Sequence, residues 1–457
     1  MDTNAFSTLS LPDAMLHNLN ELGYAQMTPV QSQSLPHILQ GRDVTAKAKT
    51  GSGKTAAFGI GLLCHLDVKK FRVQSLVLCP TRELADQVAK ELRRLARFAH
   101  NVKVLTLCGG TPFGPQLGSL RHGAHIVVGT PGRVLQHLER GSLSLEALNT
   151  LVLDEADRML DMGFIEEISK VIAHAPARRQ TLLFSATFPE GITQLGAEIQ
   201  REAVSVESSA EEVKALISEY FYDVERDAKL SALIAILAHF TPERTIVFCN
   251  TKLESDELAA ALRGKGVDAL AIHGDLEQYE RIDVLVQFSN RSCSVLVATD
   301  VAARGLDIKE LDAVVNYDMP QSEAVYTHRI GRTGRAGASG LAFTLFTSEE
   351  AIDADGYRNG ARRFEEIDAL PAPEGFRLTP PNVTLVIEGG KKDKVRPGDL
   401  LGALTGEAGI EGKYVGKIDI YERQSYVAIS RERAQEAYRR LKNGRIKGRS
   451  FPVWVLE

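Results

Sequence analysis

Ala48-Lys49-Thr50-Gly51-Ser52-Gly53-Lys54-Thr55 follows a short apolar run that starts at Val44 and precedes a helix-forming stretch rich in alanine and leucine. The glycines let the backbone curl until successive N–H groups face phosphate oxygens, and the helix that follows adds its positive end. Thr50, Gly51, Ser52 and Gly53 form the cradle in this reading. Lys54 brings a mobile charge to the β- and γ-phosphates, and Thr55 offers a hydroxyl to Mg²⁺. The general motif has glycine first, where this chain has Ala48. A turn that binds nothing is the competing reading, and the strand before and the intact Gly-Lys-Thr weigh against it.

Outward from this loop, short apolar runs recur, each followed by a turn and a helical stretch. In the first half they are Val44–Ala48, Leu76–Cys79, Val104–Leu107, Ile126–Val128, Leu151–Leu153 and Thr181–Phe184. They do not alternate polar with apolar, so both faces are expected to be buried, as in parallel strands covered by helices on two sides. The pattern restarts after residue 210 with Ile246–Cys249, Ala269–Ile272, Val295–Ala298, Val314–Tyr317 and Leu341–Phe346. A second break falls at Leu370–Asn382, where four prolines interrupt helix and sheet alike. Beyond it the order strand 383–388, helix 397–405, strands 415–421 and 425–430, helix 431–443 and strand 451–456 is that of an RNA-recognition-type α+β domain.

Asp154-Glu155-Ala156-Asp157 follows the run Leu151–Leu153. Carboxylates at a strand's end are placed to hold a metal bridged to phosphate. The bland reading is an acidic helix start favoured by the dipole; Lys54 and Thr55 upstream favour the metal. His328-Arg329-Ile330-Gly331-Arg332-Thr333-Gly334-Arg335 presents arginines three apart. A phosphoryl transition state gains ~10³–10⁵-fold from a guanidinium set against its oxygens, and a solvated basic helix is the alternative.

These residues resemble the DEAD-box helicases from residue 6 to about 360. The likeness extends to Phe6, Gly23-Tyr24, Thr28-Pro29-Val30-Gln31, Pro80–Ala85, Gly109-Gly110, Thr130–Arg133, Ser185-Ala186-Thr187, Gln278–Arg281 and Thr299–Asp307. It implies two tandem RecA-like domains, 1–208 and 209–365, a linker 366–379 and a C-terminal RNA-binding domain 380–457. It implies an RNA-dependent ATP hydrolase with ATP and Mg²⁺ as cofactors. Gln31 resembles the adenine reader, with Phe6 and Tyr24 near the base, and Asp307 the ribose contact. Asp154 and Thr55 would hold Mg²⁺, partly through water, and Glu155 would orient or deprotonate the attacking water. Arg332 and Arg335 look like arginine fingers. Ser185 and Thr187 resemble the link between hydrolysis and strand separation. Arg82, Gly110, Thr130 and Arg133 in the first domain, and Gln278, Arg281 and Thr299 in the second, resemble RNA contacts that read backbone shape rather than sequence.

Residues from about 380 onward resemble the RNA-binding domain of DbpA-type helicases, through Ile387–Lys392, Arg396–Asp399, Leu401–Gly406, Val415–Ile418 and Asn443–Gly448. That likeness implies a grip on a hairpin of 23S rRNA and work on the large (50S) ribosomal subunit. Bases usually stack on aromatics of the two central strands. Here the first, VTLVI, has none and the third, SYVAI, offers only Tyr426. Lys391, Lys392, Lys417, Arg423 and Lys447, with Lys394 and Arg445, are therefore better candidates. Trp454 is expected to pack in the core. A general RNA chaperone, and an ATP-gated clamp or scaffold without rRNA specificity, remain as rival functions.

Size and composition bound these readings. The 457 residues suggest about three domains. Net charge is −5, yet Thr379–Glu457 carries 15 basic against 10 acidic residues, a basic module on an acidic body. The five cysteines are scattered and form no C-x-x-C pair, which speaks against a zinc site or disulfide framework and for a reducing cytoplasm. No signal peptide and no membrane span are expected, and a monomer is the expected state.

Overall fold

The computed structural model describes residues 4–48, 51–207, 216–303, 311–334, 339–358, 362–370, 375–406 and 409–456. The first sheet comprises β1 (Val44–Lys47), β2 (Ser75–Leu78), β3 (Val104–Leu107), β4 (Ile126–Gly129), β5 (Thr150–Asp154), β6 (Gln180–Ser185) and β7 (Val204–Glu207). All pairings are parallel, in the order β3-β4-β2-β5-β6-β1-β7. Alternate side chains of one strand enter two different cores. Val77 and Cys79 pack with Phe58, Val152 and Phe184 on one face, and Leu76 and Leu78 with Leu151, Leu153 and Met159 on the other. Burial on both faces is why these strands read as unbroken apolar runs.

The second sheet repeats the design with β8 (Leu216–Asp223), β9 (Thr245–Cys249), β10 (Ala269–Ile272), β11 (Val295–Thr299), β12 (Ala313–Asn316), β13 (Ser339–Phe346) and β14 (Arg362–Glu366). Its order is β10-β11-β9-β12-β13-β8-β14. Three strands escape the search for apolar runs. β7 and β14 lie at sheet edges, and polar residues break the apolar run in VSVE and RRFEE, as Ser218-Glu219 does between the apolar ends of β8, LISEYFYD. The first sheet lies in one compact unit, and the second sheet lies in another together with the C-terminal domain.

Behind β9 and β12, Glu254 and Asp318 share a hydrogen bond, and burial first and that bond second push the Glu254 carboxyl up to about 7. Its pKa when unfolded is about 4.3, so its stabilising contribution is complete at low pH and lost as pH rises through 7. Glu254→Gln, which mimics the protonated form, is expected to melt at a higher temperature than the parent at pH 8, with the gap closing by pH 5. A gap of the same size at both pH values would contradict this.

The C-terminal domain is an antiparallel sheet of β15 (Asn382–Ile387), β16 (Val415–Ile420), β17 (Ser425–Ser430) and β18 (Val453–Val455), ordered β16-β17-β15-β18. Two helices, Pro397–Thr405 and Ala434–Asn443, cover one face, burying Leu385, Ile387, Leu400, Leu404, Val427, Ile429 and Leu441. Trp454 departs from expectation: it is 37% exposed. Its neighbour Val453 fills the core, and strand alternation turns the indole to the opposite face. Among the described residues no helix is long and apolar enough to cross a membrane.

Candidate functional site

The order of the first sheet sorts the predicted residues along its carboxyl edge, where open α/β sheets receive ligands. After β5, β6 and β1, three neighbouring strands, come Asp154-Glu155, Ser185–Thr187 and the glycine loop. After β3, β4 and β2 come Gly110, Thr130 and Arg82. One half of the edge thus carries the candidate phosphate and metal residues and the other the candidate RNA contacts.

In the phosphate half, Gly53 caps the helix Lys54–Cys64 in the left-handed region at φ 94. A side chain there would strike the Gln31 amide, whose Nε2 donates to the Gly53 carbonyl at 3.1 Å. The candidate adenine reader is thereby tied to the phosphate loop, while its Oε1 accepts from the Thr28 N–H at 2.9 Å. Phe6 is buried and meets the Tyr24 ring edge-on at 6.2 Å. The Tyr24 hydroxyl bonds Glu91, so its polar end is directed to the helix Arg82–Leu95.

Lys54 and Asp154 are 5% and 2% exposed and stand 3.7 Å apart, Nζ to Oδ1. Neither atom has a hydrogen-bond partner among the described residues. Burial raises the Asp154 carboxyl to about 6 despite the nearby ammonium. Buried polar atoms without partners are costly, and a phosphate oxygen for one and a metal ion for the other would satisfy both. Glu155 adopts φ 55, ψ 52, a left-handed conformation costing ~1–2 kcal/mol for a residue with a side chain. Arg158 reaches back to it, Nη1 to Oε2 at 2.6 Å.

The sequence reading assigned no role to Asp157, and the structure supplies one. Its N–H donates to Ser185 Oγ at 3.0 Å, and its Oδ2 accepts from both the N–H and the hydroxyl of Thr187 at 2.8 Å. Ser185 and Thr187 are thus bonded to the acidic motif. The signal was available in two short polar segments that end adjacent strands.

In the other half, Arg82 lies over Gly110. A Cβ on Gly110, whose φ is +71, would fall 1.7 Å from Arg82 Nη1. Gly110→Ala is expected to cost ~1–2 kcal/mol in backbone strain and, more importantly, to displace the guanidinium. RNA affinity should fall while the KM for ATP without RNA stays constant; unchanged RNA affinity would refute the contact. Arg133 donates from Nη1 to the Thr111 carbonyl at 3.0 Å and to Gln116 Oε1 at 3.1 Å. Gln116, absent from the sequence reading, also meets His137 Nε2 at 3.1 Å. Burial lowers His137 to about 4, so its imidazole is neutral at pH 7.

In the second sheet Thr299 ends β11, and Gln278 and Arg281 sit half-buried on the helix Gln278–Ser289, Arg281 Nη1 donating to the His273 carbonyl at 3.2 Å. The basic run is not a solvated helix. Arg329 is fully buried; it pairs with Asp300 at 2.8 and 2.6 Å, bonds Asn250, Asn316 and the Asp318 carbonyl, and lies over the Phe248 ring. It locks three strand ends together, a role its spacing did not disclose. Arg332 is 2% exposed and bonded to His328. Thr50, Asp307 and Arg335 lie outside the described residues.

In the C-terminal domain three loops converge. Lys391 and Lys392 donate backbone N–H groups to the Tyr421 and Glu422 carbonyls at 2.9 and 3.0 Å, and Lys447 Nζ reaches the Lys394 carbonyl at 3.2 Å. A Cβ on Gly390 would lie 2.5 Å from the Tyr421 oxygen and 2.7 Å from Arg423 N, so glycine permits this closure. Lys391, Lys392, Arg423 and Lys447 are thus gathered at one end. Lys417 is not among them: it sits on β16, bonded to Ser289 Oγ at 2.7 Å and paired with Asp419. Tyr426 is 2% exposed and donates to Asp283 Oδ1 at 2.7 Å, with Val386 and Val286 beside it. Asn290 and Ser292 bond Thr384 at 3.1 and 2.6 Å. Tyr426 is spent on the second domain's helix rather than offered to a base.

Three family models match the chain: DEAD/DEAH box helicase over residues 28–195, helicase conserved C-terminal domain over 228–337, and DbpA RNA binding domain over 384–455. The chain is 52% identical over 455 residues to the ATP-dependent RNA helicase DbpA of Escherichia coli K12, covering 99% of this chain and 100% of that one. It is 46% identical over 346 residues to the ATP-dependent RNA helicase CshA of Listeria monocytogenes, covering 76% and 66%. Among solved structures, Saccharomyces cerevisiae Dbp5 bound to RNA and ADP BeF3 aligns with a TM-score of 0.72 at 29% identity, over 80% of this chain and 96% of that one.

Proposed function

The chain belongs to the DEAD-box ATP-dependent RNA helicases, RNA-stimulated ATPases, and from that premise we propose that it opens short duplexes of 23S rRNA during assembly of the large ribosomal subunit. The observation that carries the catalytic part is the buried pair Lys54 Nζ and Asp154 Oδ1, two atoms without hydrogen-bond partners among the described residues. Lys54 takes the β/γ-phosphates, Asp154 and Thr55 hold Mg²⁺, and Gln31 selects adenine. Mg²⁺ held there would supply positive charge to offset that on the phosphate oxygens. Glu155 orients the attacking water and accepts its proton. Arg332 and Arg335, from the second parallel-sheet domain, stabilise the transition state, and Asp307 holds the ribose. Because the chemical groups come from two domains, RNA and ATP each favour the arrangement the other needs, and their binding is mutually reinforcing.

The rRNA target is supported by the match to the DbpA RNA binding domain and by the basic loops at Lys391, Lys392, Arg423 and Lys447. A monomer acting in the cytoplasm completes the reading. The test measures ATPase and strand displacement with 23S rRNA fragments and with unrelated RNA, for the full chain and for one ending after Thr379. That end point keeps Phe376 and Leu378, which pack on the second domain's core. The full chain should prefer the rRNA fragments and the short chain should not. Equal stimulation of the full chain by both RNAs would refute rRNA targeting, and ATPase without strand displacement would favour a clamp.

Thr187→Ala removes one of the two bonds to Asp157, an interaction with a charged acceptor worth ~1.5–3 kcal/mol. ATP turnover should persist while strand displacement falls; parallel loss of both would remove Thr187 from the coupling role.

A further inference from the structure

We infer that Arg158 is a positioning residue for hydrolysis, setting the plane of the Glu155 carboxylate toward the attacking water; the inference rests on the role proposed above for Glu155. Two consecutive carboxylates, Asp154 and Glu155, end β5, and each faces its own cation. Asp154 faces Lys54 at 3.7 Å, and Glu155 receives Arg158 Nη1 at 2.6 Å. The left-handed backbone at Glu155 separates the two side chains, one toward the phosphate loop and one toward the helix Ala156–Asp161. Arg158 stands one helical turn on, so the guanidinium lies on the same side as the carboxylate it meets.

The guanidinium is buried against its partner, and the backbone that carries it is anchored. The Arg158 and Glu155 side chains are 8% and 4% exposed. The Arg158 backbone N–H donates to the Glu155 carbonyl at 3.1 Å and to Asp157 Oδ1 at 3.0 Å. Asp157 in turn holds Thr187, so the positioning group shares its anchor with the coupling segment. A planar guanidinium dictates the direction of the bonds it makes, whereas an ammonium rotates freely. Buried ion pairs are often replaceable by apolar residues without loss of stability. What such a swap would forfeit here is direction, and a base displaced from its water loses part of the ~10²–10⁴-fold that proton transfer contributes.

The test uses the full chain with saturating RNA. Arg158→Met is expected to lower kcat by ~10–100-fold, part of the general-base contribution, with the KM for ATP and RNA affinity changed less than about twofold. Arg158→Lys should recover a measurable part of kcat. In a Glu155→Gln background, Arg158→Met should have no further effect on single-turnover hydrolysis, because the group it positions is gone. If Arg158→Met does not fold, Arg158→Lys alone must still show a loss in kcat at native melting temperature. Normal kcat in folded Arg158→Met, a rise in turnover, or equal additive losses in the double variant would overturn the inference and leave Glu155 in place. Normal turnover in Glu155→Gln would overturn the proposed role of Glu155 itself and the inference with it.

Discussion

Arg335→Ala is expected to abolish RNA-stimulated ATP turnover, a loss of ~10³–10⁵-fold, while ATP binding stays nearly intact. The separation follows from when the charge is needed. On the proposed reading, Lys54 and the glycine loop would already neutralise much of the triphosphate in the ground state, so one more cation would add little affinity. Charge moving onto the transferred oxygens makes an added guanidinium valuable only in the transition state. Arg332→Ala should show the same kinetic loss with a second signature. Arg332 is buried and bonded to His328, so its removal should also lower the melting temperature. Arg329→Ala should act chiefly on stability, because that side chain joins Asp300, Asn316 and Asn250 within its own domain. Three arginines three residues apart are thus expected to give three different profiles. Full turnover in Arg335→Ala, with RNA bound, would remove the arginine-finger assignment.

The second large effect concerns the basic loops of the C-terminal domain. Reversing Lys391, Lys392 and Lys447 to glutamate is expected to erase the preference for 23S rRNA fragments while leaving ATPase with unstructured RNA close to normal. Each phosphate contact contributes ~0.7–0.9 to the slope of log affinity against log salt, so losing three should flatten it by about 2. Two of the loops are held by backbone bonds, Lys391 N to Tyr421 O and Lys392 N to Glu422 O, which the substitutions leave in place, and Lys447→Glu gives up its own bond to the Lys394 carbonyl. Lys417→Glu serves as a contrast. Its ammonium lies on Ser289 and Asp419, so it should affect how the domain sits on its helix rather than the salt slope. An unaltered preference in the triple variant would place the RNA elsewhere on the domain.

Sequence exposed these sites unevenly, for physical reasons. The strands β2, β4, β5, β9 and β11 were legible because burial on both faces demands continuous apolar runs. The strand–loop–helix setting of the glycine loop was legible because an apolar run, closely spaced glycines and a helix-forming stretch follow one another there. The edge strands β7 and β14 were not, since polar residues interrupt VSVE and RRFEE, whereas the opposite edges β3 and β10, VLTL and ALAI, keep readable runs. Asp157, Arg158, Gln116 and Arg329 also stayed hidden as working residues. Each acts through a neighbour brought close by folding, and a single sequence does not record that proximity. Trp454 misled for a related reason: hydrophobicity predicted burial, and the parity of β18 decided otherwise.

The seating of Tyr426 on Asp283, with Asn290 and Ser292 against Thr384, bears on how this protein could be recombined. The C-terminal module is tailored to one particular surface, so transplanting residues 380–457 onto a different motor would cost Tyr426 its bond to Asp283, leaving its hydroxyl only Gln424, and would cost Thr384 its bonds to Asn290 and Ser292. A working hybrid should need Ile282, Asp283, Val286, Asn290 and Ser292 grafted along with it, which makes the exchangeable unit larger than the domain boundary implies.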